Sequence, residues 1–256
     1  MGSRPGRSGA SARAIWGSVA VFAKTRVMRL SRPVGCVIFD MDGVLLDTEL
    51  FYTQVTQRIV GRHGKVFDWS IKRHMVGRPA IESARHLVAA LELPFTPEEY
   101  LAEREAELAL LMPEAEPMPG AVELTTALRR AGLALAVATS SSRRFFDLKT
   151  SRHRAWFESA FHAIVVGDDP RVHAGKPAPD IFLCAAGELS ADPKDCAVVE
   201  DAPAGVRAAH AAGMQVVAVP YPGMDAADVA AADLVAPSLE EISVATFRFD
   251  ASPARP

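Results

Sequence analysis

The chain has 256 residues, of which 49% are hydrophobic and 23% charged, and its formal net charge is −3. This length allows one large domain or a domain with an insert, and the composition is typical of a globular protein. The weak negative charge excludes a general electrostatic attraction to nucleic acid or to an anionic membrane surface, so we expect neither as a partner. No apolar run approaches the roughly 20 residues that a membrane-spanning helix requires.

The N-terminal segment differs in composition from the rest of the chain. Residues 1–33 contain six arginines, one lysine and no acidic residue, and residues 14–23 are mostly apolar. We expect a disordered extension, and an organellar presequence is the alternative. The cysteines Cys36, Cys184 and Cys196 are odd in number and lack metal-ligand spacing, which favours a reducing compartment and a cytoplasmic location.

The first predicted strand ends in a pair of acidic residues. Residues 36–39 form a short apolar run, and Asp40-Met41-Asp42-Gly43 follows directly. Side chains two positions apart on an extended segment point the same way, so Asp40 and Asp42 are expected to lie together. Neighbouring carboxylates repel unless a cation or a shared proton neutralises them, which indicates a functional site. A turn with two solvated acids is the alternative.

The next segment, residues 50–117, has helical patterns and no convincing strand. Thr96-Pro97-Glu98-Glu99 fits a capping box at the start of a helix. The segment is therefore predicted to be an all-helical insert, with helices over residues 50–59, 70–75 and 79–91 and from residue 97 past residue 108.

Strands and helices alternate from residue 118 onward. The strands are almost continuously apolar, which is typical of a parallel sheet covered on both faces. Residues 34–49 and 118–248 are thus predicted to form an α/β core with a doubly wound parallel sheet, followed by a disordered tail at 249–256. Strands are predicted at 133–138, 163–166, 197–199, 215–219 and 234–235, and helices at 121–131, 180–189 and 203–212.

Polar side chains follow four of these strands at the point where each strand ends. Ligands of doubly wound sheets bind beyond the carboxyl ends of the strands, where the strand order reverses. We therefore expect a site formed by residues that are distant in sequence: Asp40 and Asp42, Thr139 and Ser140, Asp168 and Asp169, and Glu200 and Asp201.

These residue types suit the transfer of a phosphoryl group. Grouped carboxylates are the ligands that Mg²⁺ prefers, and no cluster with zinc spacing is present. With Mg²⁺ and Lys176 as cations and Thr139 as a hydroxyl donor, Asp40 is positioned to attack phosphorus. Asp42 would then protonate the leaving oxygen and deprotonate water, and crowding beside Asp40 and phosphate would favour its protonation. Lys176 is not part of a Walker loop, so use of a nucleoside triphosphate is unsupported.

In order and spacing, these motifs resemble those of the haloacid dehalogenase-like hydrolases over residues 35–245. The resemblance implies a Rossmann-like core with an inserted helical cap that closes over the site and selects the substrate. It implies Asp40 as nucleophile, Asp42 as acid and base, and Thr139 and Lys176 as phosphate-binding residues. It also implies Mg²⁺ ligands at Asp40, Asp42 (through its backbone carbonyl), Glu200 and Asp201.

Longer phrases at residues 146–153, 167–170 and 175–182 resemble the pseudouridine-5′-phosphatases, and plant-type glycerol-3-phosphatases share much of this pattern. The expected activity is Mg²⁺-dependent hydrolysis of a small phosphorylated metabolite by a monomer. Pseudouridine 5′-phosphate is the first candidate, and glycerol 3-phosphate or a sugar phosphate is the alternative. A sugar phosphomutase is a more distant alternative, because related β-phosphoglucomutases carry histidine where this chain has Tyr52. A non-catalytic binding protein is the least favoured.

Three further residues are candidates for substrate binding: Glu49, Arg78 and Ser140. Glu49 either faces substrate hydroxyls or caps a helix, and Arg78 either reaches the phosphate ester or is solvated. Asp168 and Asp169 either join the site or cap a turn before a proline. A surface stripe is expected from the basic residues Arg143, Arg144, Lys149, Arg152 and His153.

Overall fold

A computed structural model describes residues 28–72, 74–75, 80–221 and 224–247. The predictions for residues 1–27, for Arg78 and for the tail at 249–256 lie outside these described residues. Within the described ranges, no helix is both long enough and apolar enough to cross a membrane.

Six parallel strands form one sheet in the order β3-β2-β1-β4-β5-β6. The chain winds outward from β1 to β3 on one side and then from β4 to β6 on the other. This is the doubly wound fold predicted from the sequence, and its strand order reverses between β1 and β4. The strands are β1 (Cys36–Phe39), β2 (Ala134–Thr139), β3 (Ala163–Val166), β4 (Cys196–Glu200), β5 (Gln215–Ala218) and β6 (Leu234–Val235).

Helices cover both faces of this sheet. Alternate residues of β1 point to opposite faces, so Val37 and Phe39 join one apolar cluster while Cys36 and Ile38 join the other. The three cysteines are free thiols. The helices of the described residues are α1 (Glu49–Gly61), α2 (Trp69–Lys72), α3 (Ala80–Leu91), α4 (Pro97–Leu111), α5 (Ala121–Arg130), α6 (Arg143–Lys149), α7 (Arg154–Ala160), α8 (Asp180–Glu188) and α9 (Pro203–Ala211).

Helices α1 to α4 contribute to a third apolar cluster, which includes Ile59, Leu87 and Tyr100 and also Phe145, from the segment that follows β2. The predicted capping box at the start of α4 is present: Thr96 accepts from the backbone N–H of Glu99 at 3.1 Å, and the Glu99 carboxylate accepts from the backbone N–H of Thr96 at 2.7 Å. The helical character predicted for this segment is thus confirmed, while the cap bounds of 50–117 stay a prediction.

Helices α6 and α7 were not predicted from the sequence. Ser142 caps α6 by accepting from the backbone N–H of Phe145 at 3.4 Å. Phe145, Phe146 and Lys149 form the buried side of this helix, so the stripe predicted for residues 143–153 is wrong for Lys149. The arginines of the stripe, Arg143, Arg144 and Arg152, are exposed as expected.

Candidate active site

The candidate site lies beyond the carboxyl ends of β1 and β4, where the strand order reverses. Asp40 follows β1, and its backbone N–H donates to the carbonyl of Val199 in β4 at 2.9 Å. Glu200 is the last residue of β4, and Asp201 comes next. Because β1 and β4 pair in parallel, three acidic side chains meet at this edge of the sheet.

Lys176 joins this group from the loop that precedes α8. Its Nζ lies 2.5 Å from Asp40 Oδ1 and 2.7 Å from Glu200 Oε1, and its side chain is only 9% exposed. The Asp180 carboxylate stabilises this loop by accepting two backbone N–H groups, those of His173 and Ala174, both at 3.0 Å. Lys176 therefore pairs with the carboxylates of Asp40 and Glu200, which lie 136 and 24 positions away from it in the sequence.

Two glycines leave room for the acidic side chains. A Cβ atom on Gly205, in the first turn of α9, would lie 1.7 Å from Glu200 Oε1. A Cβ on Gly43, which has a φ of +78°, would lie 2.5 Å from Asp201 Oδ2. Glu200 Oε2 also accepts the backbone N–H groups of Asp201 and Ala202, both at 2.8 Å. The backbone thus determines where both carboxylates lie.

Burial dominates the electrostatics of this cluster. Loss of water raises the pKa of Asp40 to about 7, despite the attraction of Lys176. Burial, followed by repulsion from Glu200 and Asp40, raises the pKa of Asp201 well above its usual range. Burial alone would lower the pKa of Lys176, but Asp40 and Glu200 outweigh it and raise that pKa. The ammonium group of Lys176 therefore does not balance the carboxylates of Asp40, Glu200 and Asp201.

This chemistry fits a divalent cation. Asp40, Glu200 and Asp201 each offer a carboxylate oxygen, and these oxygens lie within 4.8 Å of one another. All three residues are buried, and oxygen donors at such spacing suit Mg²⁺. The raised pKa values of Asp40 and Asp201 indicate that Lys176 supplies less positive charge than this buried group of acids requires.

Asp42 lies beside this cluster, and four donors surround its carboxylate. Thr48 Oγ1 donates to Oδ1 at 2.6 Å, and Lys149 Nζ donates to the same atom at 2.5 Å. Ser141 Oγ and Thr139 Oγ1 donate to Oδ2 at 2.9 and 3.3 Å. Burial alone would raise the pKa of Asp42, but Lys149 and these hydroxyls outweigh it and lower that pKa. The protein groups around Asp42 therefore favour its ionised form, and its protonation by crowding beside Asp40 and bound phosphate stays a prediction.

The remaining predicted residues take different places. Thr139 is fully buried and contacts Asp42, whereas its neighbour Ser140 is exposed. Asp168 accepts from the backbone N–H of Arg143 at 2.8 Å, and Asp169 pairs with Arg171. These contacts favour the capping alternative for Asp168 and Asp169.

On the side of the helical segment, Glu49 begins α1 and pairs with Lys72 at 3.0 Å. Its carboxylate also contributes to the raised pKa of Asp201, after burial and the nearer acids. The Lys72 ammonium lies 5.4 Å from the ring centre of Tyr221, whose hydroxyl donates to Asp47 at 3.2 Å. Glu49, Lys72 and Tyr221 therefore form a polar group beside the acidic cluster.

Three residues that hold Asp42 were not predicted from the sequence: Thr48, Ser141 and Lys149. Thr48 lies close in sequence to Asp42, and Ser141 lies close to Thr139. This proximity could have indicated that both residues belong to the site. Phe145, Phe146 and Lys149 follow a helical spacing that would have indicated a buried face. No local signal shows that a lysine on that face is paired, because its partner lies 107 positions away.

A doubly wound sheet that presents a buried aspartate, a lysine and an acidic cluster at its switch point has the residue types of an enzyme that transfers a group with the help of a carboxylate and a divalent cation. A family model described as haloacid dehalogenase-like hydrolase matches residues 34–213. The chain belongs to this family.

Curated relatives and a solved structure agree with this assignment. The chain is 48% identical over 208 residues to "(DL)-glycerol-3-phosphatase 1, mitochondrial" of Arabidopsis thaliana, covering 79% of this chain and 70% of the relative. It is 41% identical over 221 residues to "Probable pseudouridine-5′-phosphatase" of Drosophila melanogaster, covering 86% and 96%. A crystal structure of a HAD family hydrolase from Deinococcus radiodurans R1 with bound phosphate and sodium superposes with a TM-score of 0.67 at 30% identity, covering 82% and 93%. The chain is a phosphoric monoester hydrolase of this family.

Proposed function

We propose that the chain hydrolyses a small phosphomonoester through an aspartyl-phosphate on Asp40, with Mg²⁺ as cofactor. The observation that carries the proposal is the contact of Lys176 with both Asp40 and Glu200 beside Asp201. Asp40, Glu200 and Asp201, with the backbone carbonyl of Asp42, would hold the Mg²⁺. When bound, the ion would supply positive charge beside the phosphoryl oxygens.

The residues of the chain divide the reaction into two steps. The Asp40 carboxylate attacks phosphorus, the bond to the alcohol breaks, and the departing oxygen takes a proton from Asp42. Asp42 then accepts a proton from water as the water attacks the same phosphorus, which releases inorganic phosphate and restores Asp40. The ammonium of Lys176 and the hydroxyl of Thr139 bind the phosphoryl oxygens, which carry spread negative charge.

The substrate is proposed to be an ester of a small hydroxylated alcohol. The identity of 48% to a glycerol-3-phosphatase and of 41% to a probable pseudouridine-5′-phosphatase supports two candidates. The higher identity favours glycerol 3-phosphate over pseudouridine 5′-phosphate as the first ester to test. Glu49 is proposed to contact substrate hydroxyls, and its pairing with Lys72 beside the acidic cluster supports this role. Ser140 is proposed to contribute its backbone N–H to the phosphate.

The test is phosphate release from glycerol 3-phosphate, pseudouridine 5′-phosphate and sugar phosphates, with Mg²⁺ and with EDTA. Asp40→Asn is expected to abolish turnover and to retain the fold, since the two side chains have the same shape. The control Asp228→Asn changes an exposed aspartate and is expected to retain full activity. Hydrolysis by Asp40→Asn would remove Asp40 from its role, and phosphate that moves between sugar hydroxyls in a ³¹P spectrum would indicate a mutase instead.

A further inference from the structure

Lys149 is a buried lysine that the proposed reaction does not use. It is the last residue of α6, and its side chain has no exposed surface. Its Nζ donates to Asp42 Oδ1 at 2.5 Å and to Ser141 Oγ at 2.7 Å. Lys176, the lysine assigned to the phosphate, contacts Asp40 and Glu200 instead. The two aspartates of the first motif therefore have different lysine partners.

Besides these contacts, Lys149 interacts with the side chain of Tyr52 and lies among aromatic rings. The Nζ atom lies 5.6 Å from the ring centre of Tyr52 and 5.9 Å from that of Phe145. Tyr52 comes from α1 and Phe145 from α6, so the ammonium is enclosed where these two helices approach the site. An apolar side chain of similar length would fill such a pocket without the cost of burying a charge. The role of Lys149 therefore lies in the hydrogen bonds of its ammonium group rather than in packing.

That polar end controls the orientation of the Asp42 carboxylate. Its four donors are Thr48 and three residues of the stretch 139–149, and Lys149 is the cation among them. Hydrogen bonds between charged groups are stronger and more directional than neutral ones, so Lys149 has the largest share in fixing the carboxylate. Lys149 also donates to Ser141 and orients that hydroxyl toward the other carboxylate oxygen.

We propose that Lys149 is a positioning residue that holds the Asp42 carboxylate where it exchanges a proton with the leaving group. The inference rests on the proposed function, in which Asp42 is the acid and base. An alkyl phosphate needs a proton on its departing oxygen, whereas an aryl phosphate such as p-nitrophenyl phosphate releases a stable anion without one. Loss of Lys149 should therefore impair phosphoryl transfer from the alkyl ester selectively.

The experiment compares kcat/KM for glycerol 3-phosphate and p-nitrophenyl phosphate in wild type, Lys149→Met and the matched control Lys194→Met. Lys194 is an exposed lysine on the N-terminal side of β4, at the opposite end of that strand from the site. Because a positioned acid contributes about 10²-fold or more, Lys149→Met should lose about 10²-fold on the alkyl ester and less than about threefold on the aryl ester. It should also show a burst of p-nitrophenol equal to the enzyme concentration, because the second step needs Asp42 as base. Lys194→Met should match wild type on both esters.

Equal losses on the two esters, or no loss on either, would overturn the role of Lys149 in a folded variant. Circular dichroism and a cooperative thermal transition establish that the variant is folded. If Lys149→Met does not fold, Ser141→Ala decides: it removes a partner of both Asp42 and Lys149, and the same selective loss on the alkyl ester is expected. Absence of the selective loss there overturns the proposal. A wild-type protein inactive on every ester would instead refute the proposed function.

Discussion

The raised pKa of Asp40 has a consequence for stability that is measurable without any substrate. Burial raises this pKa from its ordinary value of 3.8 to about 7, so the folded protein holds a proton that the unfolded chain has lost between these pH values. The stabilising contribution of the protonated group is complete below pH 4 and is lost as the pH rises through about 7. At about 1.4 kcal/mol per pKa unit, the full loss is roughly 4 kcal/mol.

Asp40→Asn removes the titrating group. Between pH 5 and pH 8, the free energy of unfolding of wild type should fall by about 3 kcal/mol more than that of the variant. Asp201 adds to this difference between wild type and variant. The Asp40 carboxylate contributes to the raised pKa of Asp201, and the substitution removes that contribution. The assay is urea unfolding in EDTA at pH 5, 6, 7 and 8, followed by circular dichroism.

The exposed Asp228→Asn serves as the control and should follow the wild-type profile at every pH. Parallel profiles for wild type and Asp40→Asn would show that Asp40 does not titrate near pH 7 in the folded protein. That result would refute the description of the site as an acidic cluster short of positive charge.

Three further predictions concern metal binding and the helical segment. Saturating Mg²⁺ should raise the thermal unfolding midpoint of wild type but not of Asp201→Asn, and equal shifts would exclude Asp201 as a ligand. Gly205→Ala should cost about 1–3 kcal/mol and weaken the Mg²⁺ effect, because its Cβ would collide with the Glu200 carboxylate. In the same melts, Gly187→Ala should be harmless, since nothing lies within 4 Å of its Cβ. Thr96→Ala should cost about 1 kcal/mol in urea unfolding and leave kcat unchanged; a changed kcat would show a further role for this cap.

The sheet was predictable because its strands carry their own signal. Each is a short apolar run between turn residues, and β3 and β6 begin and end where the pattern predicts. The acidic residues of the cluster were predictable for the same reason. Asp40, Glu200 and Asp201 stand at or just beyond the ends of two such strands, and parallel strands of a doubly wound sheet bring their carboxyl ends to one edge.

What the sequence did not reveal depends on partners that are far away along the chain. A lysine among arginines is ordinarily solvated, and only the tertiary packing of α6 brings Lys149 to Asp42. The effect of Lys149 on the pKa of Asp42 was not predicted for the same reason. The neighbours considered were Asp40 and bound phosphate, whereas the protein group that outweighs burial is 107 positions distant.

The two aspartates differ in whether their lysine partner outweighs burial, which Lys149 does for Asp42 and Lys176 does not for Asp40. Asp40 beside Lys176 has a pKa raised to about 7, while Asp42 beside Lys149 has a lowered pKa. The proposed first step needs the opposite order, with an ionised nucleophile and a protonated acid. A divalent cation next to Asp40 would lower its pKa, and a phosphate dianion next to Asp42 would raise that of Asp42, so both occupants would change these values in the required direction. On the proposed pathway, cation and substrate together would therefore favour the reactive protonation state.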